Sequence, residues 1–341
     1  MQTTALDSGL KIFSTCPVSH PTERQAYLRR VQEIGRWSED AGYEGILVFS
    51  DNAQLDPWLV SQAIVTATRR LRPLVAIQPA YMHPYSVAKM VSSFAFLYGR
   101  RVHLNMVANG FKNDLAALND QTPNDDRYTR LVEYTTIVRK LLQTAGPVSF
   151  DGRYNKVAIL KLTPPLPAEF VPDILVSGFS EAGRAAARQL QATAIEYPKP
   201  PAEHVAARPA GGDARGIRIG IIARRADVEA WSVARARFPE DRRGQLAHPL
   251  AVKASGSSWH APLSRLASAV GGREEPYWLA PCLHHKAACP YLVGSYERVA
   301  DQIARYVASG CRTFILETPA NQEEIYHAGI AFERAVGRVA A

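Results

Sequence analysis

Cysteine is scarce in this chain: Cys16, Cys282, Cys289 and Cys311 are the only four in 341 residues, and they lie far apart. That excludes a disulfide scaffold and fits a reducing compartment. No stretch approaches the roughly 18 to 20 uninterrupted apolar residues that a membrane helix needs, since Lys89 breaks even the apolar run over residues 87–97. Residues 1–14 lack a basic patch followed by an apolar run, so no secretory leader is expected and the cytoplasm is the default location. The 23 prolines and 22 glycines follow no repeat, which excludes collagen-like sequence.

What is present is 47% hydrophobic and 21% charged, the composition of a globular protein with a large core. The net charge of +8 raises nucleic acid as a partner, but the basic residues come as short pairs (Arg29-Arg30, Arg69-Arg70, Arg100-Arg101, Arg224-Arg225, Arg242-Arg243) and form no stripe. A solvated basic surface, or attraction for an anionic ligand such as a phosphorylated cofactor, accounts for the charge more simply.

Short runs rich in β-branched residues alternate with amphipathic helical segments, the pattern of βα units and a parallel sheet. Strands are expected over residues 10–15, 45–50, 71–78, 102–107, 172–177, 192–197, 217–223 and 313–317. Helices are expected from Thr22, Asp56, Pro84, Asp126, Ser180, Ser295 and Gln322. Residues 146–162 read as an inserted hairpin around Asp151-Gly152. Residues 238–292 fit no repeat and read as a long insertion. Eight strands, most of them followed by a helix, match a TIM barrel decorated with insertions, in a single domain over residues 1–341. A doubly wound open sheet is the alternative, but no glycine-rich dinucleotide turn follows the first strand.

Particular strings sharpen this. They are Ala41-Gly-Tyr-Glu-Gly-Ile-Leu-Val48, Asp56-Pro-Trp-Leu-Val60, and Leu74-Val-Ala-Ile-Gln-Pro79 with Pro84 following. Further on come Leu104-Asn-Met-Val107, Arg127-Tyr128, Ser177-Gly-Phe-Ser180, Leu292-Val-Gly294 and Gly310-Cys-Arg-Thr-Phe-Ile-Leu316 with Glu323-Glu324. In their order and spacing they resemble the bacterial luciferase-like flavin monooxygenases, most closely the alkanesulfonate monooxygenase branch, over nearly the whole chain. The resemblance implies a TIM barrel whose largest insertion follows strand seven. It also implies reduced FMN as a dissociable co-substrate from a separate flavin reductase, O2, and a peroxyflavin that transfers one oxygen atom to an organic substrate. A homodimer or homotetramer is expected. A deazaflavin-dependent two-electron oxidoreductase and a non-catalytic flavin-binding barrel remain open as alternatives.

The four residues Ser177, Gly178, Phe179 and Ser180 lie between a strand and a helix, where unpaired N–H groups and a hydroxyl converge at a positive helix end. Spacing alone equally allows Ser180 to be a plain N-cap; the resemblance makes the turn the FMN phosphate loop. Tyr154 resembles a tyrosine that reaches the same phosphate. Asn105, an amide inside a strand, and Gln78, at a strand end, are candidate contacts to the flavin ring or the substrate.

The sulfonate-handling residues of the resembled branch are largely replaced. Gln54 stands where a cysteine is expected, Arg224 where a histidine is, Ile222 where an arginine is and Pro319 where a tyrosine is, while His285 followed by Lys286 stands near a mobile-loop arginine. The candidate catalytic residues are therefore Arg224, a cation at a strand end, His20 in the loop after the first strand, Gln54 and His285. The insertion carrying His284, His285 and Lys286 reads as a lid over the barrel mouth. Cys282, His284, His285 and Cys289 match no common zinc spacing, and no metal is expected.

Overall fold

The computed structural model describes residues 9–108, 112–178, 180–206, 214–239, 275–283 and 286–340. The first part of the chain runs β1 (Lys11–Thr15), α1 (Arg24–Asp40), β2 (Gly45–Val48), α2 (Pro57–Ala67), β3 (Arg72–Ile77), α3 (Pro84–Tyr98) and β4 (His103–Val107). Then follow α4 (Lys112–Ala117), α5 (Asn124–Gln143), β5 (Val148–Asp151), β6 (Lys156–Leu160), β7 (Ile174–Ser177), α6 (Glu181–Gln189), β8 (Thr193–Glu196) and α7 (Pro201–Ala206). The last part holds β9 (Arg215–Arg224), α8 (Asp227–Arg237), β10 (Tyr277–Trp278), α9 (Ala280–Leu283), β11 (Tyr291–Ser295), α10 (Tyr296–Ala308), β12 (Cys311–Leu316) and α11 (Gln322–Ala340).

These elements fall into two compact units. One comprises Cys16–Arg36 and Gly45–Ala194. Its strands β2, β3, β4 and β7 are parallel neighbours in that order. They are buried on both faces, which is why they read as continuous apolar runs. Leu104, Met106 and Val176 pack against Val87 and Val91 of α3 and against Leu131, Ile137 and Val138 of α5. Local chemistry sets the helix starts and stops. Asp56 caps α2 by accepting from the N–H groups of Trp58 and Leu59, Pro57 and Pro84 occupy first-turn positions, and Gly99 ends α3 at φ 56°. Strands β5 and β6 pair antiparallel as a separate two-stranded sheet. Glu133 of α5 clasps this hairpin by accepting from the backbone N–H groups of Tyr154 and Asn155.

The other unit comprises Met1–Thr15, Trp37–Glu44 and Ile195–Ala341. Its sheet has the order β10-β11-β9-β12-β1. The first half of strand β9 pairs parallel with β12 and its second half, from Gly220, pairs parallel with β11. Gly220 is required there, because a Cβ at that position would lie 2.4 Å from the Tyr291 ring. The irregular stretch thus closes earlier than residue 292, since Tyr291 and Leu292 are buried strand residues. Five residues after Pro290 are too short a run to show a period, so the pairing is set by β9. Residues 240–274, which hold most of the expected lid, lie outside the described residues.

Among the described residues no helix is long and apolar enough to cross a membrane.

Candidate active site

The turn from β7 to α6 is built by Ser180, whose Oγ accepts from the Gly183 N–H at 3.1 Å and so opens the helix. Two glycines let the backbone crowd in. A Cβ on Gly178 would sit 2.5 Å from Tyr128 Oη, and one on Gly183 would sit 3.0 Å from the Gly178 carbonyl. Tyr128 of α5 therefore lies directly over the Gly178 backbone, and the first turn of α6 packs onto it. The positive end of the helix dipole lies here, which suits an anion. Phe179 lies outside the described residues.

Ser177 Oγ donates to Asn105 Oδ1 at 2.8 Å, so two candidates from β7 and β4 are neighbours and part of the buried amide is satisfied. Gln78, at the end of β3, is buried and donates from Nε2 to the Ser50 carbonyl at 3.0 Å. Tyr154 is held through its backbone by Glu133, while its buried Oη has no hydrogen-bond partner. Arg153 lies 5.1 Å from the Tyr154 ring centroid. Gln54 braces the loop after β1: its Oε1 accepts from Ser19 N at 2.7 Å and from Ser19 Oγ at 3.0 Å. His20, next in that loop, is exposed.

Arg224 departs from the open cation expected of it. It ends β9 only 4% exposed, paired with Glu324 of α11 and donating to its neighbour's carbonyl, Ala223 O, at 2.7 Å. Its charge is matched within the protein. Lys286 donates to the Pro239 carbonyl, and His284 and His285 lie outside the described residues. Among the described residues no group of three or more His, Cys, Asp or Glu is arranged to hold a metal.

A cluster that motif reading missed surrounds Glu317, the residue following β12. It faces Arg218 of β9 at 3.5 Å and accepts from Cys289 Sγ at 3.3 Å, Ala288 N at 3.2 Å and Thr318 N at 3.3 Å. Burial pushes the Glu317 carboxyl up, but the Arg218 charge and these hydrogen bonds outweigh it and hold the pKa below the ordinary range. Burial and the Glu317 charge push both nearby thiols up, Cys282 to about 12, so neither is a thiolate at neutral pH. Arg218 keeps a buried Nε without a hydrogen-bond partner. One signal was available: Arg218 is a lone charge within Ile217-Arg-Ile-Gly-Ile221, a run otherwise apolar.

Gln78, Ser177, Arg224 and Glu317 each end or follow a parallel strand at its C-terminal end, the end at which TIM barrels place their active sites. A model of the luciferase-like monooxygenase family matches residues 10–313. The chain belongs to that family. It is 32% identical over 329 residues to the 4-(γ-L-glutamylamino)butanoyl-[BtrI acyl-carrier protein] monooxygenase BtrO of Niallia circulans, covering 95% of this chain and 96% of that one. Among solved structures it resembles the EDTA monooxygenase of Chelativorans sp. BNC1 at a TM-score of 0.68 and 16% identity, over 97% of this chain and 93% of that one. A riboflavin lyase solved with modified FMN and riboflavin matches at a TM-score of 0.70 and 19% identity, over 97% and 91% of the two chains. The fold is accordingly the luciferase-like TIM barrel.

Proposed function

We propose that this luciferase-like protein is the oxygenase of a two-component system, taking reduced FMN from a separate reductase and placing one atom of O2 on an organic substrate. The observation that carries the reading is the turn of Ser177, Gly178 and Ser180 at the start of α6, with Tyr128 pressed onto Gly178. The residues fit FMN. Backbone N–H groups of the turn and the Ser180 hydroxyl would hold the phosphate, and the unpartnered Tyr154 Oη is a donor for it. Asn105 and Gln78 supply amides for the polar edge of the ring. Reduced FMN supplies two electrons, so that one oxygen atom goes to the substrate and the other leaves as water.

For the substrate we infer an acyl group presented on a carrier protein, by analogy with BtrO, to which the likeness is nearly full-length. The net charge of +8 suits an acidic partner. Replacement of the sulfonate-handling set, by Gln54, Ile222, Arg224 and Pro319, argues against an alkanesulfonate.

Anaerobic titration with FMN tests the cofactor, and labelled O2 tests the reaction. Reduced FMN should bind more tightly than oxidised FMN, and chemically reduced FMN should sustain turnover without the reductase, with one labelled atom in the acyl product. Tight stoichiometric FAD, or turnover with a deazaflavin in the absence of oxygen, would overturn the assignment.

A further inference from the structure

Of the buried polar atoms without a hydrogen-bond partner among the described residues of the unit built on β9 and β12, three belong to residues that share one cavity, and each of their side chains is more than nine-tenths buried: Tyr43 Oη, Tyr291 Oη and Glu324 Oε2. They come from the loop before β2, from β11 and from the first turn of α11. All three side chains line one cavity, beside Ser14, Arg237 and Thr318. Its volume is about 20 Å³, and roughly 10–15 Å³ of such space admits one water. An unpaired polar atom in the interior is destabilising, the more so on a carboxylate, and three around one cavity point to a shared partner.

We propose that this cavity is a binding site for one ordered water molecule, which accepts from Tyr43 Oη and Tyr291 Oη and donates to Glu324 Oε2. Valence selects the ligand. Burial pushes both phenols far above neutrality, so each keeps its proton and can donate. The other Glu324 oxygen already accepts from Arg224, and Oε2 needs a donor of its own. Water satisfies two donors and an acceptor at once. An ammonium ion of similar size has four donors and no lone pair, and it would enter a cavity that Arg237, itself a cation, lines. The bridge joins the start of α11 to β11 and to the approach to β2. It does not depend on the flavin reading.

A crystal structure of the unliganded protein, at a resolution that shows ordered solvent and from crystals grown without ammonium salts, tests the site. One peak within hydrogen-bond distance of all three atoms is expected. In thermal unfolding, Tyr43→Phe and Tyr291→Phe should each lower the midpoint. The double variant should fall by less than the sum of the two, because both phenols act through one water. Absence of the peak, direct contact among the three side chains, or a peak that forms only with ammonium present would overturn the proposal. The native crystal decides even if a phenylalanine variant fails to fold.

Discussion

Arg224 and Gly178 teach opposite lessons about reading single positions. Arg224 sits at a strand end, where a free cation would serve catalysis, yet it is spent on Glu324, a hundred positions away in the chain. Removing it strands a buried carboxylate whose other oxygen lacks a protein partner. Arg224→Ala should therefore destabilise the fold by about 3–5 kcal/mol, measured by urea unfolding. A loss under 1 kcal/mol would show that the pair is not buried in solution. Gly178 was named beforehand only as part of the strand-to-helix turn over residues 177–180, and the structure adds that its backbone lies close against Tyr128. Gly178→Ala puts a methyl against the Tyr128 hydroxyl. It should weaken reduced-FMN binding about tenfold, or about 1.4 kcal/mol, in anaerobic titration while the unfolding midpoint changes little. Unchanged affinity would detach the turn from the cofactor.

Elements differ in how far their ends were written in local sequence. The starts of α2, α3, α6 and α10 were, because Asp56, Pro84, Ser180 and Ser295 act within one turn of chain. Strand β11 was not, because its partner β9 begins 76 residues earlier, from Arg215 to Tyr291, and no local period announces it. Helix α7 brings His204 beside Arg215, Cys311 and the edge of Tyr306. Burial first, then the charges of Arg215 and Lys199, lower its pKa from 6.5 to about 4. Between these two values the unfolded chain binds a proton that the folded chain refuses, so this stability is fully present above pH 6.5 and declines as pH falls toward 4. His204→Phe should flatten the dependence of unfolding free energy on pH across that window. An unchanged slope would show that His204 is protonated in the folded protein.

The family and its barrel were readable from the chain. The assembly is a further expectation with a surface to test: Leu59, Phe96 and Leu97 are 68%, 75% and 67% exposed on α2 and α3. Large apolar side chains left in water on adjoining helices fit self-association. Phe96→Asp combined with Leu97→Asp should shift the sedimenting species toward monomer, and an unshifted mass would place any interface elsewhere. The alternation of strands and helices was legible because strands buried on both faces must be apolar throughout, and caps and turn glycines act over a few residues. The meeting of Arg218 with Glu317, of Arg224 with Glu324, and of three unpartnered oxygens around one cavity was not. Such pairings depend on strand register and on which side chains are desolvated together, and a charge or a tyrosine looks the same in sequence whether water or another part of the chain will face it.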